Sequence, residues 1–396
     1  MFAMLAVLLW WLRSGAENDP VASPGPLTQV GPRSTTTLDD APAVRARAPG
    51  DTRPDDPTVA FRPRDVALGG AAVDSGLERT GDAAKEGDAA VEAWFARNAA
   101  LAEKTVDGYC EASQRLAKTP GLEPPTRERD ASSFLAGRAD WEDGHTGLLH
   151  LPASLTDRMS QPPGAWMRFG LSDYAGLDFA WMRELLAFDH WTLMSAGPLR
   201  DGRDLPAFEQ IIPNFVTMMQ WAKLRLVKGF HERDLARASL EVRHLATICA
   251  STSTLVGEMV RLSMLTSERE FFEAQGLPPL DGSLTPQTKQ QARSEGFAAH
   301  HFLMTGVSAA VKKKALACSR TRCAALTEAA SLLSGLRGAA PRVREDLEWL
   351  KEQQPCEPAL LERVATSPPL SSLPPVASME REFEQHIREM VDGGSF

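Results

Sequence analysis

Residues 215–264, FVTMMQWAKLRLVKGFHERDLARASLEVRHLATICASTSTLVGEMVRLSM, decide the fold class. Apolar residues recur there every three or four positions, which is the spacing of one face of an α-helix. They form three stripes: Phe215, Met219, Ala222, Leu226 and Phe230; Leu235, Ala238, Val242, Leu245 and Cys249; and Leu255, Met259 and Leu262 beside Val256, Val260 and Met264. Because short polar turns separate the stripes, we expect three helices with antiparallel neighbours.

The same spacing extends over most of the chain that follows residue 70. It predicts helices at about 88–118, 285–316, 323–336 and 341–353, whereas prolines leave about 120–173 irregular but apolar enough to pack on the helices. No stretch alternates with a period of two for long enough to suggest a sheet. We therefore predict an all-α body over 71–366, either an irregular bundle or stacked antiparallel hairpins as in helical-repeat proteins. A Pro-rich connector and an amphipathic helix follow at 367–396.

The N-terminal region predicts export. Residues 1–12, MFAMLAVLLWWL, are uncharged and apolar, but as a helix they would rise about 18 Å, less than the ~30 Å hydrocarbon core. With the small residues Ser14, Gly15 and Ala16 they resemble a signal peptide or a signal anchor over 1–16, and the alternative is a buried helix of a soluble protein. Residues 17–70 are rich in proline and poor in apolar residues, as in a disordered linker. We expect an inner-membrane-anchored, periplasmic or secreted protein, with residues 1–12 contacting the membrane.

The charge balance argues against a nucleic-acid ligand. The formal net charge is −9 and the isoelectric point is about 5.5, whereas a nucleic-acid binder needs a clustered basic surface that neutralises phosphates. The one tight basic run, Lys312 to Lys314, is typical of a solvated helix face.

The cysteines favour a disulfide rather than a metal site. Cys323 and Cys356 lie at equal distances from the predicted turn at 338–341, so an antiparallel hairpin would bring them together at its open end. The rival pairing is Cys318 with Cys323, and Cys249 lies on an apolar stripe as a buried thiol would. The cysteine and histidine spacings do not match a zinc site, so we expect neither a metal nor a cofactor.

Tryptophans concentrate in the middle of the chain and define a candidate binding groove. Its members are Trp181, Asp189, His190, Trp191 and Trp221, with His190 as the acid–base candidate; alternatively, Asp189 and His190 cap a helix end. The single Glu241-x-x-His244 pair lacks the second copy that a di-iron bundle uses, and we expect it on a solvated helix face. Adjacent His300 and His301 are expected at the edge of the core.

These observations leave open what the protein does. The favoured hypothesis is a non-enzymatic interaction module in the cell envelope whose partner is another envelope protein. The alternative is an enzyme or ligand-binding protein with its site among the Trp-rich helices near Asp189 and His190. A cytosolic scaffold is the third hypothesis, and separated, fully buried cysteines would favour it.

Overall fold

A computed structural model describes residues 81–141, 146–159, 164–193, 213–304, 307–335, 341–366 and 385–390. The predictions for residues 1–16 and 17–70, and most of those for 367–396, lie outside these ranges and stay predictions. The described residues are mainly helical and contain isolated β-bridges but no β-strand, which confirms the all-α prediction. None of their helices is both long enough and apolar enough to cross a membrane.

The described ranges contain twelve α-helices of stated extent, and two single 3₁₀ turns lie at Trp166–Arg168 and Leu171–Asp173. Residues 385–390 are also helical. In chain order the helices are α1 (Gly81–Leu116), α2 (Ser132–Leu135), α3 (Ala153–Met159), α4 (Ala180–Leu185), α5 (Phe215–His231), α6 (Leu235–Ala250), α7 (Leu255–Ala274), α8 (Pro286–Met304), α9 (Ala309–Cys318), α10 (Arg322–Gly335), α11 (Pro341–Glu352) and α12 (Pro358–Thr366).

Helices α5, α6 and α7 follow the three apolar stripes and pack on one another. The Asn214 side chain caps α5 by accepting hydrogen bonds from the first free backbone N–H groups, and the Thr254 hydroxyl caps α7 in the same way. Gly229 lets α5 and α6 approach closely, since a Cβ placed on it would lie 2.4 Å from the Ala238 Cβ. Short connections at 232–234 and 251–254 join the three helices, as predicted.

The predicted helix over 285–316 is two helices, and this boundary was wrong. Helix α8 ends at Met304 and α9 begins after Ser308, whose hydroxyl caps it by accepting from the Val311 N–H. A capping serine inside an apolar run offers the backbone an alternative to a continuous helix. Helix α9 packs on α1, and α8 packs on α1, α7 and α10.

The irregular region before α5 packs on the helices, as its apolar residues predict. The Trp221 indole N–H donates to the Leu149 carbonyl oxygen at 2.7 Å. His231 Nε2 lies 2.8 Å from the carbonyl oxygen of Phe169. Hydrogen bonds from helix side chains thus satisfy backbone groups in the loops of this region, which also contains the short helices α2, α3 and α4.

Two of the polar side chains that we expected to be solvated, Glu241 and Lys312, are buried instead, whereas His244 is half-buried and Lys313 and Lys314 are exposed. Glu241 is buried and accepts from the Arg225 Nε at 2.6 Å, while His244 Nε2 lies 3.0 Å from the Leu185 carbonyl oxygen. In the lysine run, Lys312 is buried against Asp346, although Lys314 stays exposed beside an exposed Asp107. Each buried group has an oppositely charged or hydrogen-bonding partner, which offsets its loss of hydration.

Candidate functional site

The tryptophans of the predicted groove are core residues. Trp181, Trp191 and Trp221 are all buried. The rings of Trp181 and Trp221 meet edge to face with centroids 5.6 Å apart, and Trp191 meets Trp141 in the same manner at 6.0 Å. Such contacts contribute packing energy beyond the area that they bury. The structure therefore brings these residues together as the packing between the irregular region and α5.

Asp189 and His190 hold two irregular segments side by side. Asp189 Oδ1 accepts from the backbone N–H groups of Glu128 at 3.0 Å and Arg129 at 3.1 Å, and it lies 2.9 Å from His190 Nδ1. Burial pushes the Asp189 pKa upward, but these hydrogen bonds outweigh it and lower the pKa to about 2. Asp189 is therefore an ionised acceptor for the backbone N–H groups of residues 128 and 129, and it does not cap a helix end.

The backbone continues this contact on both sides of the aspartate. The Asp189 N–H donates to the Arg129 carbonyl oxygen at 2.9 Å, and the Ala131 N–H donates to the His190 carbonyl oxygen at 2.8 Å. The Trp191 N–H donates to Ser251 Oγ at 2.7 Å, which joins the segment to the α6–α7 connection. The Asp189 carboxylate and the backbone of residues 189–191 therefore position the neighbouring segments, while the His190 ring contacts Asp189 itself.

Two cysteine pairs lie at disulfide distance. Cys323 and Cys356 form the predicted pair, with Cα atoms 5.6 Å apart. Cys110 of α1 and Cys318 at the end of α9 form a second pair that the sequence did not predict, with Cα atoms 5.2 Å apart. The rival pairing of Cys318 with Cys323 is not formed. Cys249 is free and buried, and burial raises the pKa of its thiol.

The loop between the two disulfides inserts an arginine into the core. Residues 318–323 read CSRTRC, so each end of this loop is tied to another part of the chain. The Arg320 side chain between them is fully buried. Its Nη1 donates to Glu258 Oε1 of α7 at 2.6 Å, and its Nη2 donates to Glu295 Oε2 of α8 at 3.2 Å. Cys318 and Cys323, which belong to different cysteine pairs, therefore lie on either side of an arginine that is buried against two glutamates.

With Arg261, these residues form what we call the charged centre: Glu258, Arg261, Glu295 and Arg320. Arg261 Nη2 lies 3.1 Å from Glu258 Oε2, and its guanidinium also donates to the carbonyl oxygens of the chain at 122–123. The exposed fraction of these four side chains does not exceed 4%. Two carboxylates thus face two guanidiniums, so the formal charges balance within the core.

Hydroxyl groups complete the coordination of Glu295. Ser113 Oγ and Ser319 Oγ each donate to its Oε1 at 3.0 Å, and the Tyr109 hydroxyl donates at 3.2 Å. Burial, followed by the charge of Glu295, raises the Tyr109 pKa well above its ordinary value. Burial lowers the Arg320 pKa, but Glu258 and Glu295 outweigh it and raise the pKa overall. The centre therefore keeps Arg320 charged and the Tyr109 phenol protonated.

The charged centre joins α1, α7, α8 and the loop 318–323. Sequence reasoning missed it because its members lie far apart in the chain, and each alone resembles an ordinary surface residue. Two signals could have pointed to it: Glu258 and Arg261 interrupt the wide apolar arc of α7, and Arg320 lies between two closely spaced cysteines. The arrangement is closed to solvent and balanced in charge, which suits it to fixing the packing of helices.

Within the described ranges, no group of three or more His, Cys, Asp or Glu side chains converges as metal ligands would. No family model, curated protein or solved structure matches this chain.

Proposed function

We propose that this chain is an exported, disulfide-stabilised helical module that acts by binding another protein of the cell envelope rather than by catalysis. The observation that carries the proposal is the placement of four of the five cysteines in two pairs at disulfide distance. Structural disulfides persist in oxidising compartments and are rare where thiols are kept reduced.

The two cysteine pairs connect segments that are far apart in the chain. One joins residues 208 positions apart and the other joins residues 33 positions apart. Together they fix both ends of the loop that carries Arg320 into the charged centre. A chain whose buried Arg320 lies between two cross-linked cysteines is suited to a compartment where both disulfides can form.

The packing of the candidate site supports a binding role over a catalytic one. Asp189 is engaged by backbone amides, and the tryptophans that could have lined a groove fill the core instead. Apolar contact points remain on the surface: Leu148 is 80% exposed, Leu171 is 60% exposed and Leu240 is 58% exposed. These three side chains are the contact points that we propose for a protein partner, since apolar residues form the centre of protein interfaces.

The membrane part of the proposal rests on the sequence of residues 1–16, followed by the Pro-rich residues 17–70. Residues 1–12 either stay in the membrane as an anchor or are removed with the rest of a signal peptide. In the first case the helical body is tethered at the outer face of the inner membrane. In the second it is periplasmic or secreted.

Cell fractionation with N-terminal sequencing of tagged full-length protein tests the export proposal. Membrane association that resists carbonate, with Met1 retained, supports the anchor, and a mature start at Glu17 supports cleavage. A Leu8→Arg/Leu9→Arg variant should remain in the cytosol, while the matched linker variant Val30→Arg should be exported normally. Wild-type protein found soluble in the cytosol with reduced thiols would overturn the proposal.

Crosslinking in intact cells tests the binding role separately. A photo-crosslinking residue at Leu240 should give one defined adduct with an envelope protein, whereas the same residue at the exposed Glu345 of α11 should give none. Equal labelling from both positions, or none from Leu148, Leu171 and Leu240, would contradict the proposed interaction.

A further inference from the structure

The two cysteine pairs differ in where their sulfur atoms lie on the helices. Cys323 is the second residue of α10, whereas Cys318 is the last residue of α9. The N-terminus of a helix carries a partial positive charge and its C-terminus a partial negative charge. A thiolate at Cys323 is therefore stabilised by its helix, and a thiolate at Cys318 is destabilised by its own.

Arginines contact the backbone on both sides of Cys356, the partner of Cys323. Arg322 Nη2 donates to the Gln354 carbonyl oxygen at 3.0 Å. Arg127 Nη1 donates to the carbonyl oxygen of Cys356 itself at 3.5 Å. Within the described ranges, the Nε of Arg322 is buried and has no hydrogen-bond partner. A charged donor next to the pair is thus left for a thiolate that forms there.

Two carboxylates near this pair each have an arginine beside them. Glu357 interacts electrostatically with Arg127. Glu295 lies at the start of α10 and accepts a hydrogen bond from Arg320 at 3.2 Å. The positive charge of Arg322 and that of the helix start therefore remain to act on the sulfur atoms.

The surroundings of the Cys110–Cys318 pair have the opposite character. Cys110 Sγ lies 3.8 Å from the Lys314 carbonyl oxygen, and Cys318 Sγ lies 3.3 Å from the Ala315 carbonyl oxygen. Cys110 is also buried, and the Lys314 side chain forms an ion pair with Asp107. Burial and neighbouring carbonyl oxygens both disfavour a negative charge, so neither sulfur of this pair is a good leaving group.

We propose that Cys323–Cys356 is a redox-active disulfide that exchanges with the dithiol of a partner protein, while Cys110–Cys318 is a permanent cross-link. This inference goes beyond the binding role proposed above. It does not depend on where the protein resides, because it compares two cysteine pairs within one oxidised molecule.

The exchange has two steps. One thiolate of the dithiol attacks Sγ of Cys356, which is half-buried, and the electron pair of the disulfide bond passes to Sγ of Cys323 at the helix start. The second thiolate of the dithiol then attacks the partner's sulfur in the mixed disulfide and releases Cys356 as a thiolate. The dithiol loses two electrons to the two cysteines and becomes a disulfide, and its two protons exchange with water.

Timed reduction of the oxidised, full-length protein tests the proposal. Dithiothreitol serves as the dithiol, acid stops the reaction, and alkylation followed by peptide mass spectrometry measures the free thiol at each cysteine. Cys323 and Cys356 should become free about tenfold faster than Cys110 and Cys318, or more. Equal rates, faster reduction of Cys110–Cys318, or no reduction of either pair in the folded protein would overturn the proposal.

The same reduction of the protein unfolded in urea is the control. An unfolded chain has neither a helix start nor a buried cysteine, so the two pairs should react at similar rates. A difference as large as that in the folded protein would contradict the argument from helix position.

Variants of Arg322 test the contribution of its charge. Arg322→Gln should slow the reduction of Cys323–Cys356 about threefold or more, and Arg322→Lys should restore most of the rate because it keeps a positive charge. The matched control is Arg344→Gln, since Arg344 is exposed on α11, and it should leave the rate unchanged. An unchanged rate in Arg322→Gln, or equal slowing in Arg322→Lys, would refute the electrostatic role of Arg322.

A short reaction with glutathione, a monothiol, shows which sulfur is attacked. We expect the glutathione adduct on Cys356 and a free, alkylatable thiol at Cys323. An adduct on Cys323 with Cys356 free would contradict the assignment of Cys323 as the leaving thiolate.

Discussion

Substitution of Arg320 by methionine should be strongly destabilising, because it removes a charge from the core while leaving its partners in place. The Arg320 guanidinium is 2.6 Å from Glu258 and 3.2 Å from Glu295, and both glutamates are buried with it. Methionine preserves much of the side-chain volume but supplies no donor. Removal of one member of a buried ion pair costs about 3–5 kcal/mol, and we expect Arg320→Met to lie in this range.

The assay is urea unfolding of the oxidised protein, followed by far-UV circular dichroism at pH 7. The matched control is Arg344→Met, since Arg344 is exposed on α11 and its loss should change the free energy of unfolding by less than about 0.5 kcal/mol. A loss for Arg320→Met no larger than that of the control would refute the assignment of a charged centre.

A double variant separates charge from packing. Adding Glu295→Gln to Arg320→Met removes the carboxylate that was left without its arginine. Glu295→Gln should therefore lower the free energy of unfolding less in the Arg320→Met background than in the wild-type protein. The coupling should be about 1 kcal/mol or more, the scale found for residues in one network. Additive losses would contradict a direct interaction between Arg320 and Glu295.

Three other changes probe separate parts of the fold. Cys323→Ser should lower the free energy of unfolding by about 4 kcal/mol, the loop-closure value for a 33-residue separation, whereas Cys249→Ser should leave the number of disulfides unchanged in mass spectrometry. Gly229→Ala should cost about 1–3 kcal/mol by thermal unfolding because its Cβ would clash with the facing helix, while Gly137→Ala, with no atom within 4 Å of its Cβ, should be nearly neutral. Asp189→Asn should remove a stabilising contribution that is present above pH 4 and is lost as the pH falls towards 2, so urea midpoints of the variant should depend less on pH across that window; a pH dependence equal to that of the wild type would contradict the ionised role of Asp189.

The helices that the sequence predicted best are those whose pattern is local. Helices α5, α6 and α7 each carry an apolar stripe within one segment, so their existence and order followed from spacing alone. The break at Ser308 was missed because a capping hydroxyl inside an apolar run resembles an ordinary helical position. Boundaries of this kind depend on what each half packs against.

The charged centre and the Trp-rich core depend on long-range contacts and could not be predicted in the same way. Glu241 looked solvated because its own helix shows a polar position there, whereas in the structure Arg225 of α5 approaches it and compensates its burial. Tryptophans such as Trp181 and Trp221 can line a groove or fill a core equally well. Which of the two roles they take depends on how the irregular region packs on α5, and the spacing of residues within one segment does not determine that packing.

The export proposal is tested most directly by counting free thiols in the full-length protein, trapped with acid in the cells that produce it and then labelled with a maleimide reagent under denaturing conditions. Without reduction we expect one labelled cysteine, Cys249, and after reduction we expect all five to be labelled. Five labelled cysteines before reduction would show that neither pair is oxidised in the cell and would contradict an oxidising location for this protein.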